Sequence, residues 1–143
     1  MKALVVVAGI AAIAVAASGA PAAPTAAAVT VRSSSFGQIL FDHRGFVLYG
    51  FTKDPRGRSV CSGACAAAWP PFIVGGKPAA GKGAKAGLLG TTSRADGKLQ
   101  ATYAGKPLYY YIGDRKPGEI LCQNVREFGG TWLVLRSTGA YVR

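Results

Sequence analysis

Gly45-Phe46-Val47-Leu48-Tyr49-Gly50-Phe51-Thr52-Lys53-Asp54 recurs sixty residues on as Gly105-Lys106-Pro107-Leu108-Tyr109-Tyr110-Tyr111-Ile112-Gly113-Asp114. At that offset Gly37 also meets Gly97, Gly45 meets Gly105, Leu48 meets Leu108, Tyr49 meets Tyr109 and Asp54 meets Asp114. Chance gives about one identity in such a window, so the two stretches read as an internal duplication. Ile39 with Leu99 and Phe51 with Tyr111 agree in character. Small insertions further on bring Cys61 to Cys122 and Trp69 to Trp132.

The periodicity inside each copy is that of strands. Residues 38–42 and 46–51 are β-rich, and His43-Arg44-Gly45 between them puts glycine where a left-handed bulge closes a hairpin. The second copy repeats this around Ala104-Gly105, and residues 88–93 and 98–103 flank a further turn at Arg94-Ala95-Asp96-Gly97. Residues 132–136 form a last apolar strand. Only residues 62–69 read as helical, and Pro70-Pro71 stops them. The expected fold is all-β: a small sandwich or barrel of two pseudo-symmetric repeats, with one short helix near the Cys-x-x-x-Cys segment.

Upstream, Lys2 precedes an unbroken apolar run from Ala3 to Ala17, the pattern of an export signal. Its alanine content makes it weak for a permanent membrane span. Ala22 and Ala28 are the candidate cut sites. The expected organisation is a signal peptide at 1–28 and a single all-β domain at 29–143. Within that domain, repeat one covers about 37–74, a basic Gly/Ala/Lys loop 75–87, and repeat two about 97–139.

The chain has 143 residues, with 17 Lys plus Arg against 6 Asp plus Glu and a formal net charge of +11. So few carboxylates and the single histidine, His43, leave little from which to build a calcium site or a polyhistidine zinc site. No cofactor is expected.

Together with Cys61-Ser62-Gly63-Ala64-Cys65-Ala66-Ala67-Ala68-Trp69-Pro70-Pro71, the two Tyr-bearing stretches make the chain resemble a bacterial secreted-repeat family of unknown function, described as predicted lipoproteins with a Tyr-x-aromatic-x-x-Asp motif. The resemblance runs from Gly37 to Gly139. It implies an exported bacterial protein and brings no catalytic mechanism with it. No cysteine precedes Cys61, so the acceptor for lipid attachment is missing.

The motif residues Tyr49, Phe51, Asp54, Tyr109, Tyr111 and Asp114 admit two readings. Asp54-Pro55-Arg56-Gly57 fits a type I turn, and Asp114 ahead of Arg115-Lys116-Pro117-Gly118 can cap its own turn in the same way. Turn closure with the aromatics half-buried in the core is the reading this chemistry favours. The alternative sets both aspartates around a cleft shared with Tyr49 and Tyr109. Tyr110 alternates to the other face and is expected to be exposed.

Cys61 and Cys65, four apart, suit a local disulfide in an exporting compartment. Cys122 is then a buried free thiol, a link to another chain, or the true partner of one of the other two. Haem attachment is set aside because Ala66 stands where a histidine would follow the second cysteine. An envelope redox or copper-handling role would use Cys61, Cys65 and His43, although a hairpin-turn histidine is commonly an exposed one. No Ser-His-Asp order is present, so an acid–base relay would have to run through His43.

Lys77, Lys82 and Lys85 in the loop, with Arg56, Arg58, Arg115 and Lys116 near the turns, mark an anion-binding surface. The expected function is an exported, periplasmic or secreted binding module. Its expected partners are anionic envelope components or another protein, with no specific nucleic acid and no stable membrane span after cleavage.

Overall fold

The structure, a computed structural model, describes residues 27–143 and the isolated positions 14, 16 and 19, so the signal-peptide reading of 1–28 lies almost wholly outside the described residues. In chain order the elements are β1 (Ala28–Ser34), β2 (Gly37–Asp42), β3 (Tyr49–Phe51), α1 (Ala64–Ala68), β4 (Ile73–Val74), β5 (Ala79–Ala80), β6 (Leu89–Ser93), β7 (Leu99–Tyr103), β8 (Lys106–Pro107), β9 (Val125–Glu127) and β10 (Gly130–Val134). The fold is all-β. Its sheets are open and run β2-β1-β5, β3-β10-β9 and β4-β7-β6, with β8 on β7. No helix among the described residues is long and apolar enough to cross a membrane.

Each repeat starts as a hairpin. β1 pairs with β2 from Val29↔Asp42 to Ser34↔Gly37, and β6 with β7 from Leu89↔Tyr103 to Ser93↔Leu99. The chain then turns back at His43-Arg44-Gly45 in the first copy, and at Ala104-Gly105 in the second. Ala104 and Gly105 have φ of 50° and 74°, the left-handed pair of a tight two-residue hairpin. The Leu48 amide donates to Leu40, and the Leu108 amide to Ala101. Counted from these bonds, Leu40 corresponds to Ala101 and Ile39 to Gln100, not to Leu99. The second copy has one more residue in its first turn and one fewer in its second, so the sixty-residue offset slips by one between them and then recovers.

α1 is the expected short helix. Four of its five residues are alanine, the strongest helix former, and Trp69 leaves helical geometry at φ −122° and ψ 76° because Pro70 follows.

The repeats then exchange their last strands. Trp132 in β10 pairs with Phe51, and Val134 with Tyr49, in the first repeat. From the first repeat, Pro71 bridges to Tyr109 and Ile73 pairs with Gln100 in the second. Each half thus completes the other's sheet, and two apolar clusters fill the interior. One gathers Tyr49, Phe51, Trp69, Tyr109 and Trp132; the other gathers Leu40, Leu48, Tyr103, Leu108 and Leu135.

Two regions differ from the sequence reading. β1, the longest strand, was not among the expected elements, and with β6 it makes the structural unit begin before Gly37 and Gly97. Within the expected basic loop of residues 75–87, the backbone between Ala79 and Lys85 is bonded to the body of the fold. β5 pairs in parallel with β1, Gly81 and Val31 bond to Val29 and Lys82 respectively, and the Lys85 amide donates to the Tyr103 hydroxyl at 2.9 Å. The glycines and lysines disguise a segment whose backbone satisfies the free edge of β1.

Candidate functional site

The motif residues meet at the pseudo-twofold axis. The Tyr49 amide donates to the Tyr109 carbonyl and the Tyr109 amide to the Tyr49 carbonyl, both at 2.9 Å. Their side chains then cross: the Tyr49 hydroxyl donates to Asp114 Oδ2 at 2.7 Å and the Tyr109 hydroxyl to Asp54 Oδ2 at 2.6 Å. The other carboxylate oxygens accept matching backbone amides, Val60 on Asp54 at 2.8 Å and Leu121 on Asp114 at 2.9 Å. Each aspartate amide also closes a turn onto the carbonyl of the motif aromatic, Asp54 on Phe51 and Asp114 on Tyr111. The sequence brings out turn closure; the crossing of the repeats is visible only in three dimensions.

Both tyrosines are fully buried, as is Phe51, while Tyr111 is partly exposed. Burial pushes the Tyr49 and Tyr109 hydroxyls up and reinforces them as donors. Burial also raises Asp54 and Asp114 above the usual carboxylate range, with the tyrosine hydrogen bonds pulling the other way. Asp54 borders a depression of about 160 Å³ with Tyr141 and Gly105. Chemically the set is a double clasp of protonated phenols on carboxylates whose two oxygens are both occupied.

Around the clasp lies a stack of four rings in the order Phe51, Trp132, Trp69, Tyr111, alternating between repeats. Trp69 and Trp132 stack at 4.1 Å with planes 2° apart, Phe51 lies on Trp132 at 4.1 Å, and Tyr111 lies on Trp69 at 4.8 Å. Trp69 Nε1 donates to Glu127 at 2.9 Å, whereas Trp132 Nε1 is buried without a partner. Tyr110 is part-buried, not free: it packs on Phe72 and donates to Asp42 at 3.0 Å. Gly50, its counterpart, has no room for a side chain, since a Cβ there would stand 2.7 Å from the Tyr141 ring.

Cys61 and Cys65 form a disulfide, and Cys122 is a free, partly exposed cysteine. His43 is exposed in the turn after β2. Among the described residues no group of three or more His, Cys, Asp or Glu could hold a metal ion, so Cys61, Cys65 and His43 do not converge. A polar cluster missed in the sequence lies beside the disulfide. Arg94 donates to Ser59 at 2.9 Å, to the buried Gln100 at 2.8 Å and to the Cys61 carbonyl at 2.7 Å, and Ser59 in turn bonds to the Tyr109 hydroxyl. Its signal is asymmetry: Gln100 occupies the place of Ile39.

The charge is distributed unevenly between surface and interior. Asp42 accepts Arg44, two backbone amides and Tyr110. Asp96 accepts the Lys98 amide, and Glu119 the amides of Arg115 and Lys116. With Asp54, Asp114 and Glu127, every carboxylate side chain of the chain is occupied by its own fold. Arg44 with Asp42, at 2.8 Å, is the one salt bridge among the described residues. Lys77, Lys82 and Lys85 are exposed along the segment that holds β5.

A family model described as a secreted repeat of unknown function matches residues 30–72 and 90–136. Neither a curated protein nor a solved structure matches the chain. The chain belongs to that family of secreted repeats, and the two matched stretches are the two halves related by the Tyr49–Tyr109 axis.

Proposed function

We propose that this secreted repeat is an exported binding module that adheres to an anionic component of the cell envelope through its uncompensated positive charge. One observation carries the reading: all the carboxylates are drawn into hydrogen bonds of the fold, and only Arg44 of the described cations has a carboxylate within salt-bridge distance. Without Lys2 in the removed leader, 16 Lys plus Arg stand against 6 Asp plus Glu, and the mature chain presents the field of a formal net charge of +10. Such a field raises the local concentration of anions and speeds their capture. Lys77, Lys82 and Lys85 contribute as exposed side chains, Lys82 on backbone that bonds to Val31 of β1.

Delivery belongs to the same proposal: a leader removed after Ala22, and a mature chain in the periplasm or the medium. Ala22 is supported over Ala28 because Ala28 is the first residue of β1 and Ala27 accepts the Ala79 amide.

Binding to a soluble polyanion such as polyphosphate, titrated at rising salt, tests the charge reading. Affinity should fall steeply between about 0.05 and 0.5 M, as screening shortens the reach of surface charge. Binding that ignores salt, or no binding at low salt, overturns it. A Lys77→Ala/Lys82→Ala/Lys85→Ala variant should bind more weakly and show a shallower salt dependence.

A further inference from the structure

The internal duplication supplies a control that a single-copy protein lacks. Where both repeats carry the same residue the fold explains it; where they differ on the surface the fold does not require the difference. One such difference flanks Asp114. Ile112 and Leu121 are each 62% exposed, the most exposed large apolar side chains among the described residues. They are neighbours through one carboxylate: Asp114 closes its turn on Tyr111, next to Ile112, and its Oδ1 accepts the Leu121 amide. In the first repeat the same geometry around Asp54 is built with Thr52 and Val60. Thr52 there receives the Thr131 amide on its hydroxyl at 2.9 Å, and Val60 is 39% exposed. The second repeat could therefore fold with less apolar surface at both places.

Between Ile112 and Leu121 the loop projects Arg115 and Lys116, both exposed. Of the two carboxylates near them in sequence, Asp114 is taken up by the Tyr49 hydroxyl and the Leu121 amide, Glu119 is turned onto their backbone amides at 2.6 and 3.0 Å, and neither cation is salt-bridged. Tyr111, partly exposed, stands at the base. Two aliphatic tips, two free cations and an amphipathic ring are the chemistry of a bilayer interface: aliphatic groups enter the acyl boundary while cations rest on anionic head groups.

We propose that the loop from Ile112 to Leu121 is a membrane-surface anchor, and that its occupant is an anionic lipid bilayer. The proposal rests on the charge reading above and narrows it, since a soluble polyanion offers nothing for Ile112 and Leu121 to enter.

The test uses the full mature chain with three probes: phosphatidylcholine vesicles, phosphatidylcholine vesicles containing phosphatidylglycerol, and soluble polyphosphate. An Ile112→Ser/Leu121→Ser variant is compared with a Val60→Ser control, all three proteins being matched in thermal unfolding midpoint. The expected result is binding to the phosphatidylglycerol vesicles that drops by about tenfold or more in the double serine variant, as partial burial of two such side chains implies. Polyphosphate binding should be unchanged in that variant, and Val60→Ser should behave as wild type. Equal vesicle binding by wild type and the double variant overturns the anchor, as does equal binding to vesicles with and without phosphatidylglycerol. Wild type that binds polyphosphate but no vesicle also overturns it and leaves the charge reading standing, pointing instead to a polymer or protein partner. Binding to none of the probes sinks both.

Discussion

Tyr49 and Asp114, sixty-five residues apart, are joined by a 2.7 Å hydrogen bond whose twin joins Tyr109 to Asp54. Each link ties one repeat to the other. Removing one hydroxyl leaves a largely buried carboxylate oxygen without its donor, so Tyr49→Phe should destabilise the protein by about 1–3 kcal/mol. Asp114→Asn should do the same, because one amide group cannot accept both from Leu121 and from the phenol. In denaturant titrations the double variant should be less damaged than the sum of the singles, with a coupling of about 0.5–3 kcal/mol. Strict additivity would mean that the bond contributes nothing.

What the sequence disclosed was local. Glycines at turns, alternation in residues 38–42 and 98–103, and alanines ahead of Pro70-Pro71 announce hairpins and a short helix because each acts within a few residues. The crossing was hidden: two copies of Tyr-x-aromatic-x-x-Asp are equally consistent with pairing inside each repeat. β1 was hidden by its neighbours, since Val29-Thr30-Val31 follows directly on the alanine-rich leader. The correspondence of Ile39 with Leu99 misled through two compensating turn lengths, and that slip concealed Gln100 and with it the Arg94 cluster.

Alkali should reveal the buried phenols. Burial raises Tyr49, Tyr109, Tyr110 and Tyr141 above the usual 10.0, Tyr141 to about 12. A raised value means that the folded state holds the proton more tightly than the unfolded chain. The associated stability is therefore complete below pH 10 and is lost as pH climbs through the folded values. Absorbance at the tyrosinate band should show only part of the six tyrosines ionising near pH 10, with the rest released together with loss of circular dichroism. All six ionising near pH 10 in a folded protein would contradict the burial.

Neither repeat should fold by itself. β10 completes β3 of the first repeat, residues 71–74 complete the second, and the Trp69–Trp132 stack needs one ring from each. Separate peptides covering 27–75 and 86–143 are expected to lack a cooperative thermal transition, and an equimolar mixture to regain one. Trp132→Ala in the intact chain should cost about 3–5 kcal/mol and lower the stability of both halves in a single transition. A repeat that melts cooperatively on its own would refute the exchange.

Thiol counting separates Cys122 from the other two cysteines. Labelling the unfolded, unreduced protein should add one alkyl group per chain, and prior reduction should raise this to three, with the first label on Cys122 in a peptide map. Cys61→Ser/Cys65→Ser should lower stability by about 2 kcal/mol, because the closed loop is short and the denatured chain gains little freedom when it opens. Three labels without reduction would dispose of the disulfide.

The proposed cleavage after Ala22 rests on where β1 begins. A cut after Ala28 would place a new ammonium group on Val29, which is fully buried and paired with Asp42, and would delete the Ala27 carbonyl that receives the Ala79 amide. Burying that charge is unfavourable unless it is paired, and Asp42 has its oxygens filled by Arg44, Phe46 and Tyr110. A cut after Ala22 leaves β1 and its parallel contact with β5 whole. Intact mass of the exported protein should therefore correspond to a chain starting at Ala23, and an engineered chain starting at Val29 should unfold at a lower temperature than one starting at Ala23. A native start at Val29 with unchanged stability would show that the β1–β5 pairing does not hold the edge of the sheet.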